Sequence, residues 1–137
     1  MPDLISIHAA DNYRLARSKH LINNDDGVYN LIRIPHFAFI RQIWCSILVP
    51  FSGGTPASSS LLVGFTGNGE TADPDGFVDS VFNVEVAGMY NMALEGTAGA
   101  PGKWFSDGSG MLTATIDHGD HTTLLSAYIF MEFTVLH

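Results

Sequence analysis

The last stretch of the chain, Thr123–His137, reads TLLSAYIFMEFTVLH, and its pattern decides the fold. Ala127, Ile129, Met131, Phe133 and Val135 recur at every second position. That is the period of a β-strand, whose successive side chains point to opposite faces. The alternate positions are not cleanly polar, because Tyr128, Phe130 and Leu136 share them with Glu132. A strand apolar on both faces is covered on both, so this one is expected at the centre of a sheet or beneath a neighbouring subunit.

Working back along the chain, the same period recurs. Met111–Asp117 sets Leu112, Ala114 and Ile116 against Met111, Thr113 and Thr115, and His118-Gly119-Asp120-His121 reads as a tight hairpin turn. Ala38–Val49 sets Ile43, Cys45, Ile47 and Val49 against Gln42, Trp44, Ser46 and Leu48, and Pro50 ends it. Leu61, Val63 and Phe65 mark another strand. Phe77–Val86 follows with Phe82, Val84 and Val86 on one face, and Met89–Leu94 continues it past a bulge at Gly88. Tyr29–Ile34 alternates loosely and stops before Pro35.

Between these runs lie stretches rich in glycine, proline and serine: Ser52–Ser60, Gly67–Gly76, Thr97–Gly102 and Ser106–Gly110. Six to eight short strands separated by such turns predict an all-β antiparallel β-sandwich, jelly-roll-like. Residues 1–29 differ. They are polar, they lack strand alternation, and Asn23–Gly27 (NNDDG) is a turn signal. They are expected to form an irregular N-terminal arm ahead of a sandwich domain at 30–137, with Ala9–His20 read as one short helix presenting Tyr13, Leu15 and Ala16.

Composition limits the function classes. Only 15% of the 137 residues are charged, against about 25% in ordinary soluble domains, and mean hydropathy is +0.17. Such a surface is expected to be buried against other subunits, since permanent interfaces resemble a domain core cut in half. A membrane is the weaker explanation, because no segment offers roughly 18 uninterrupted apolar residues. The first twenty residues also lack the basic start, apolar run and cleavage site of a secretory signal. The net charge is −8. Residues 1–41 are nearly balanced, while Lys103 alone stands against ten acids in residues 42–137. An acidic body argues against nucleic-acid binding, and the near-neutral arm suits an acidic partner.

No catalytic machinery is legible. G-x-S-x-G, Walker and G-x-G-x-x-G patterns are absent. The lone Cys45 alternates with apolar neighbours and reads as a small buried hydrophobe. Asp73-Pro74-Asp75-Gly76, with Glu70 and Asp79 nearby, breaks the spacing of a calcium loop and reads as a turn. His118, Asp120 and His121 lack further ligands at zinc spacing and read as a polar hairpin tip. The chain is therefore expected to be no enzyme and to need no cofactor or metal.

The layout as a whole resembles a known group. Leu61–Phe77 (LLVGFTGNGETADPDGF), continued by Val78–Gly88 (VDSVFNVEVAG) and closed by Met111–His137, is similar to the small β-rich capsid decoration (cement) proteins of tailed bacteriophages. The likeness covers residues 30–137 and is one of strand and loop layout. It implies a structural virion protein, assembled in the host cytoplasm, that stabilises a capsid. Its partners would be other copies of itself, as a trimer, and the major capsid protein, with no nucleic acid and no membrane. Contacts are expected from Tyr13, Arg14 and Arg17 in the arm and from Tyr128, Phe130 and Leu136 in the final strand. A tail, neck or fibre β domain fits the same layout, as does a carbohydrate- or receptor-binding module using exposed Trp44 or Trp104. A small hydrolase gathering Asp117, Asp120 and His121 is a further alternative.

Overall fold

The computed structural model describes residues 13–22, 25–78, 84–92 and 102–136. Ten strands lie within them: β1 (Arg14–Arg17), β2 (Leu21–Ile22), β3 (Gly27–Arg33), β4 (Ala38–Val49), β5 (Ser60–Thr66), β6 (Asp73–Val78), β7 (Gly88–Asn91), β8 (Lys103–Phe105), β9 (Met111–Asp117) and β10 (Ser126–Val135). They form two antiparallel sheets. In the first, β10 and β4 are central, with β1 and β2 in line along the free side of β10 and β7 and β8 in line along the free side of β4. The second runs β3-β9-β5-β6.

Taking β1 with β2 as one position and β7 with β8 as another leaves eight positions. The first pairs with the eighth, the second with the seventh, the third with the sixth and the fourth with the fifth. The chain is thus a long hairpin wrapped into two facing sheets, which is the jelly-roll arrangement. No long hydrophobic helix of the kind that spans a membrane occurs among the described residues.

The period-2 pattern generates the core. Ala127, Ile129, Met131 and Phe133 of β10 face inward beside Ile47, Cys45, Ile43 and Ile40 of β4. They meet Leu61, Val63 and Phe65 of β5 and Leu112, Ala114 and Ile116 of β9. Burial pushes the Cys45 thiol up to about 12, so it stays a neutral hydrophobe. β4 stays in phase by bulging. Gln42 and Ile40 are opposite consecutive residues of β10, which leaves Arg41 as an extra, outward residue. A second shift at Leu48 turns Val49 outward, against the inward position its alternation predicts.

Other expectations change. The helix expected over Ala9–His20 is absent from the residues described there: Arg14–Arg17 pairs with Phe130–Phe133, because a sheet edge supplies backbone partners that override local propensity. The rest of that segment, 9–12, lies outside the described residues. His118–His121 is no hairpin, since β9 and β10 belong to different sheets and residues 118–125 cross between them. Asp73–Gly76 belongs to β6 rather than to a turn. The strand expected over Phe77–Val86 ends at Val78 where described, Val84 and Glu85 are not strand, and Phe82 lies outside the described residues. β7 then starts afresh in the other sheet. Lys103–Phe105, unassigned from sequence, pairs with Ala38–Ile40.

Candidate interaction surface

The core alternation of β10 and β4 fixes what their opposite face carries. Directly opposed residues share a face, so the register builds rows across the first sheet. One row is Arg17, Phe130, Trp44 and Asn91. The next is Tyr128, Ser46 and Met89, and another is Leu15, Glu132 and Gln42. All ten described strands belong to the two sheets, so none adds a layer over this face. Leu15 and Met89 are 57% and 56% exposed.

Charge on the face is sparse and organised. The Arg17 guanidinium lies 4.5 Å above the Tyr128 ring, and that of Arg41 lies 4.7 Å above Tyr13. Arg41 Nε is 3.4 Å from the Glu132 carboxylate. His20 stacks on Tyr128 with centroids 4.6 Å apart. Trp, Tyr, Phe, Met and Arg with few acids is the composition of an interface centre rather than of free surface. The structure therefore brings Tyr13, Arg17, Tyr128 and Phe130 together. Arg14 opposes inward-facing Phe133 and so lies on the other side of β1, and Leu136 lies beyond β10 with its N–H donating to the Phe37 carbonyl. Met89 is an addition, and Leu15 and Trp44, expected from the sequence as an arm contact and as a carbohydrate-binding candidate, join it on this face. Trp44 was legible from the alternation of β4, whereas the short β1 and β7 carried no pattern of their own.

One end of the sandwich is closed by hydrogen bonds. Glu85 accepts from Ala57 N–H at 2.7 Å and from the Ser59 hydroxyl at 2.8 Å. Its carboxylate also lies 3.0 Å from His121 Nε2, whose side chain is only 3% exposed. Burial favours the neutral acid, but the bonds from Ala57, His121 and Ser59 outweigh it and hold the carboxyl at about 2. Asp120 accepts from the Thr55 hydroxyl, Thr55 N–H and the Ser58 hydroxyl, which hold it at about 2 as well. Phe51 stacks on His121 beneath this lid.

His121 is thus a buried strut, not part of an exposed tip. Asp117 accepts from Gly119 N–H and Asp120 from the 55–58 loop, so the residues suggested for a hydrolase are engaged separately. The Ser59 hydroxyl donates a hydrogen bond to the Glu85 carboxylate.

No protein-family model matches the chain, and no curated protein matches it significantly. Solved structures do share its fold. A chain of the cyanophage Pam1 capsid asymmetric unit superposes with a TM-score of 0.69 at 9% identity, covering 91% of this chain and 86% of that one. A chain of the acidic stable capsid structure of Helicobacter pylori bacteriophage KHP30 superposes with a TM-score of 0.54 at 17% identity, covering 89% and 87%. The β-sandwich and the resemblance to phage capsid proteins read from the sequence are therefore both found in three dimensions.

Proposed function

We propose that this chain is a structural protein of a phage virion that decorates and stabilises the capsid. It does so by contacts with its own copies, as a homotrimer, and with the major capsid protein. The observation that carries this reading is a fold shared, over nine-tenths of the chain, with chains of two phage capsid structures. The outer face of the first sheet supports it, offering Trp44, Tyr128, Phe130, Leu15 and Met89 around Arg17 to a shell. The role is not enzymatic. Assembly takes place in the host cytoplasm.

The test is co-production of this chain with the major capsid protein of its phage, followed by purification of particles and measurement of their protein stoichiometry. The chain is expected at a fixed ratio to the capsid protein and on the particle exterior. Particles that form in its presence but carry none of it would overturn the reading.

A second reading has one observation in its favour. Trp104 is 40% exposed and stacks with Phe37, which stacks in turn on His36 with centroids 3.9 Å apart. Such rings suit the faces of sugars, as in a receptor-binding module, and a glycan array separates the two readings.

A further inference from the structure

The fold gives the molecule two unlike lateral sides. On one, β1 and β2 edge the first sheet, and the short link from β2 to β3 sets the β3 edge of the second sheet beside them. On the other, β8 lies against β6: Phe105 packs on Phe77 at 6.5 Å and on Phe65 at 5.4 Å, and Lys103 Nζ reaches Glu70 at 2.9 Å.

Charge divides between these sides. The first carries Arg14, Arg17 and Lys19, and none of them meets a carboxylate among the described residues; Arg33 on β3 adds a fourth cation, donating to the Gly108 carbonyl. The acids at the β2–β3 end are Asp25 and Asp26, and Asp26 faces His118. The second side carries Asp73 and Asp75 on the β6 edge, with Glu70 already taken by Lys103. The Asp73 carboxyl is raised above its ordinary range by a hydrogen bond shared with Asp75, then by burial and by the Asp75 charge, and Lys103 only partly offsets this. Two carboxyls crowded on an exposed edge have only Lys103, itself bonded to Glu70, as a partial counter-charge, and exposed Arg14 and Lys19 on the opposite edge meet no carboxylate among the described residues.

We infer that copies of this chain join head-to-tail, with Arg14 and Lys19 of one copy against Asp73 and Asp75 of the next. This rests on the self-association half of the proposed function and not on its capsid half. A two-fold contact would set like edges against each other and bring cation to cation, whereas a head-to-tail contact sets each edge against its complement, and makes a ring where the rotation between copies closes. Arginine forks match carboxylates in paired hydrogen bonds. Pro74 removes a backbone donor from the β6 edge, so the contact is made by side chains and does not propagate as an endless sheet.

Charge reversal on each edge tests the inference, with native mass read by light scattering and folding checked by circular dichroism. Arg14→Glu with Lys19→Glu leaves the outer face of the first sheet untouched, and Asp73→Lys with Asp75→Lys reverses the other edge. Each pair alone is expected to weaken self-association at least tenfold. One chain carrying all four substitutions is expected to recover the wild-type mass, and an equimolar mixture of the two double variants is expected to pair variant with variant without closing a three-membered ring, which cannot alternate two kinds of member. A folded double variant that keeps the wild-type mass, a four-fold variant that stays monomeric, or a monomeric wild type at low salt would each overturn it. Recruitment to capsids, measured separately on the same variants, distinguishes failure of this contact from failure of the capsid reading.

Discussion

At the scale of single residues, the most constrained positions are those where two backbones meet. Gly64 is in ordinary extended backbone, yet a Cβ there would collide with the backbone of Asp73 and Pro74, because β6 crosses over it. Backbone cannot swing aside as a side chain can. Gly64→Ala is therefore expected to cost about 1–3 kcal/mol, the range for overpacking, measured by urea denaturation, while Gly108→Ala, whose Cβ would find its nearest neighbour 4.0 Å away, stays near wild type. The lid at the end of the sandwich makes a second prediction. Glu85 and Asp120 are held at about 2, below their ordinary values of 4.5 and 3.8. A depressed carboxyl contributes stability that is complete above its unfolded value and lost as pH falls toward its folded one. The urea midpoint is thus expected to be level above pH 5 and to fall between about pH 4.5 and 2. Asp73, raised rather than lowered, works in the opposite sense. Glu85→Gln and Asp120→Asn together should flatten the fall, and an unchanged acid limb would show that the lid adds nothing.

At the scale of elements, what was legible in the sequence follows from which strands carry their own pattern. β4, β9 and the inward face of β10 could be read because each buries a long alternating row of branched or aromatic side chains, and burial of one face specifies register. β1, β2 and β7 span four residues or fewer. They are strands because β10 and β4 offer free backbone, and a local window contains no trace of that. The same reason made Tyr13, Leu15 and Ala16 read as a helix and hid Met89 from the candidate surface. The buried His121 was missed because its partner, Glu85, is distant in sequence. A short edge strand without its own pattern depends on one anchor. For β2 that anchor is Leu21, 6% exposed and opposite Ala127. Leu21→Ala is expected to cost about 2–5 kcal/mol, the range for a buried leucine. It should also let trypsin cut after Arg17 and Lys19 under conditions where the wild type resists, because that edge opens before the core does.

At the scale of the whole molecule, low charge and an acidic body fit a division of labour between face and edges. The outer face of the first sheet is apolar and aromatic, while the lateral edges hold the unpaired charges of either sign. Contacts through these two regions answer to different variables. Exposed charges are screened within roughly 10 Å at 0.1 M salt, so an edge contact between copies weakens as salt rises. Aromatic anchors buried against a shell depend on desolvated area and resist salt. Trp44→Ala with Phe130→Ala removes two large side chains from the middle of one row without touching Arg14, Lys19, Asp73 or Asp75. Each such anchor is commonly worth 2 kcal/mol or more, about a thirtyfold change in affinity. The double variant is therefore expected to fold, to keep the native mass and salt response of the wild type, and to be lost from capsids in a sedimentation assay. If that variant lost its self-association and kept its place on particles, face and edges would have exchanged roles, and the shell-facing surface would have to be sought along β1 and β6.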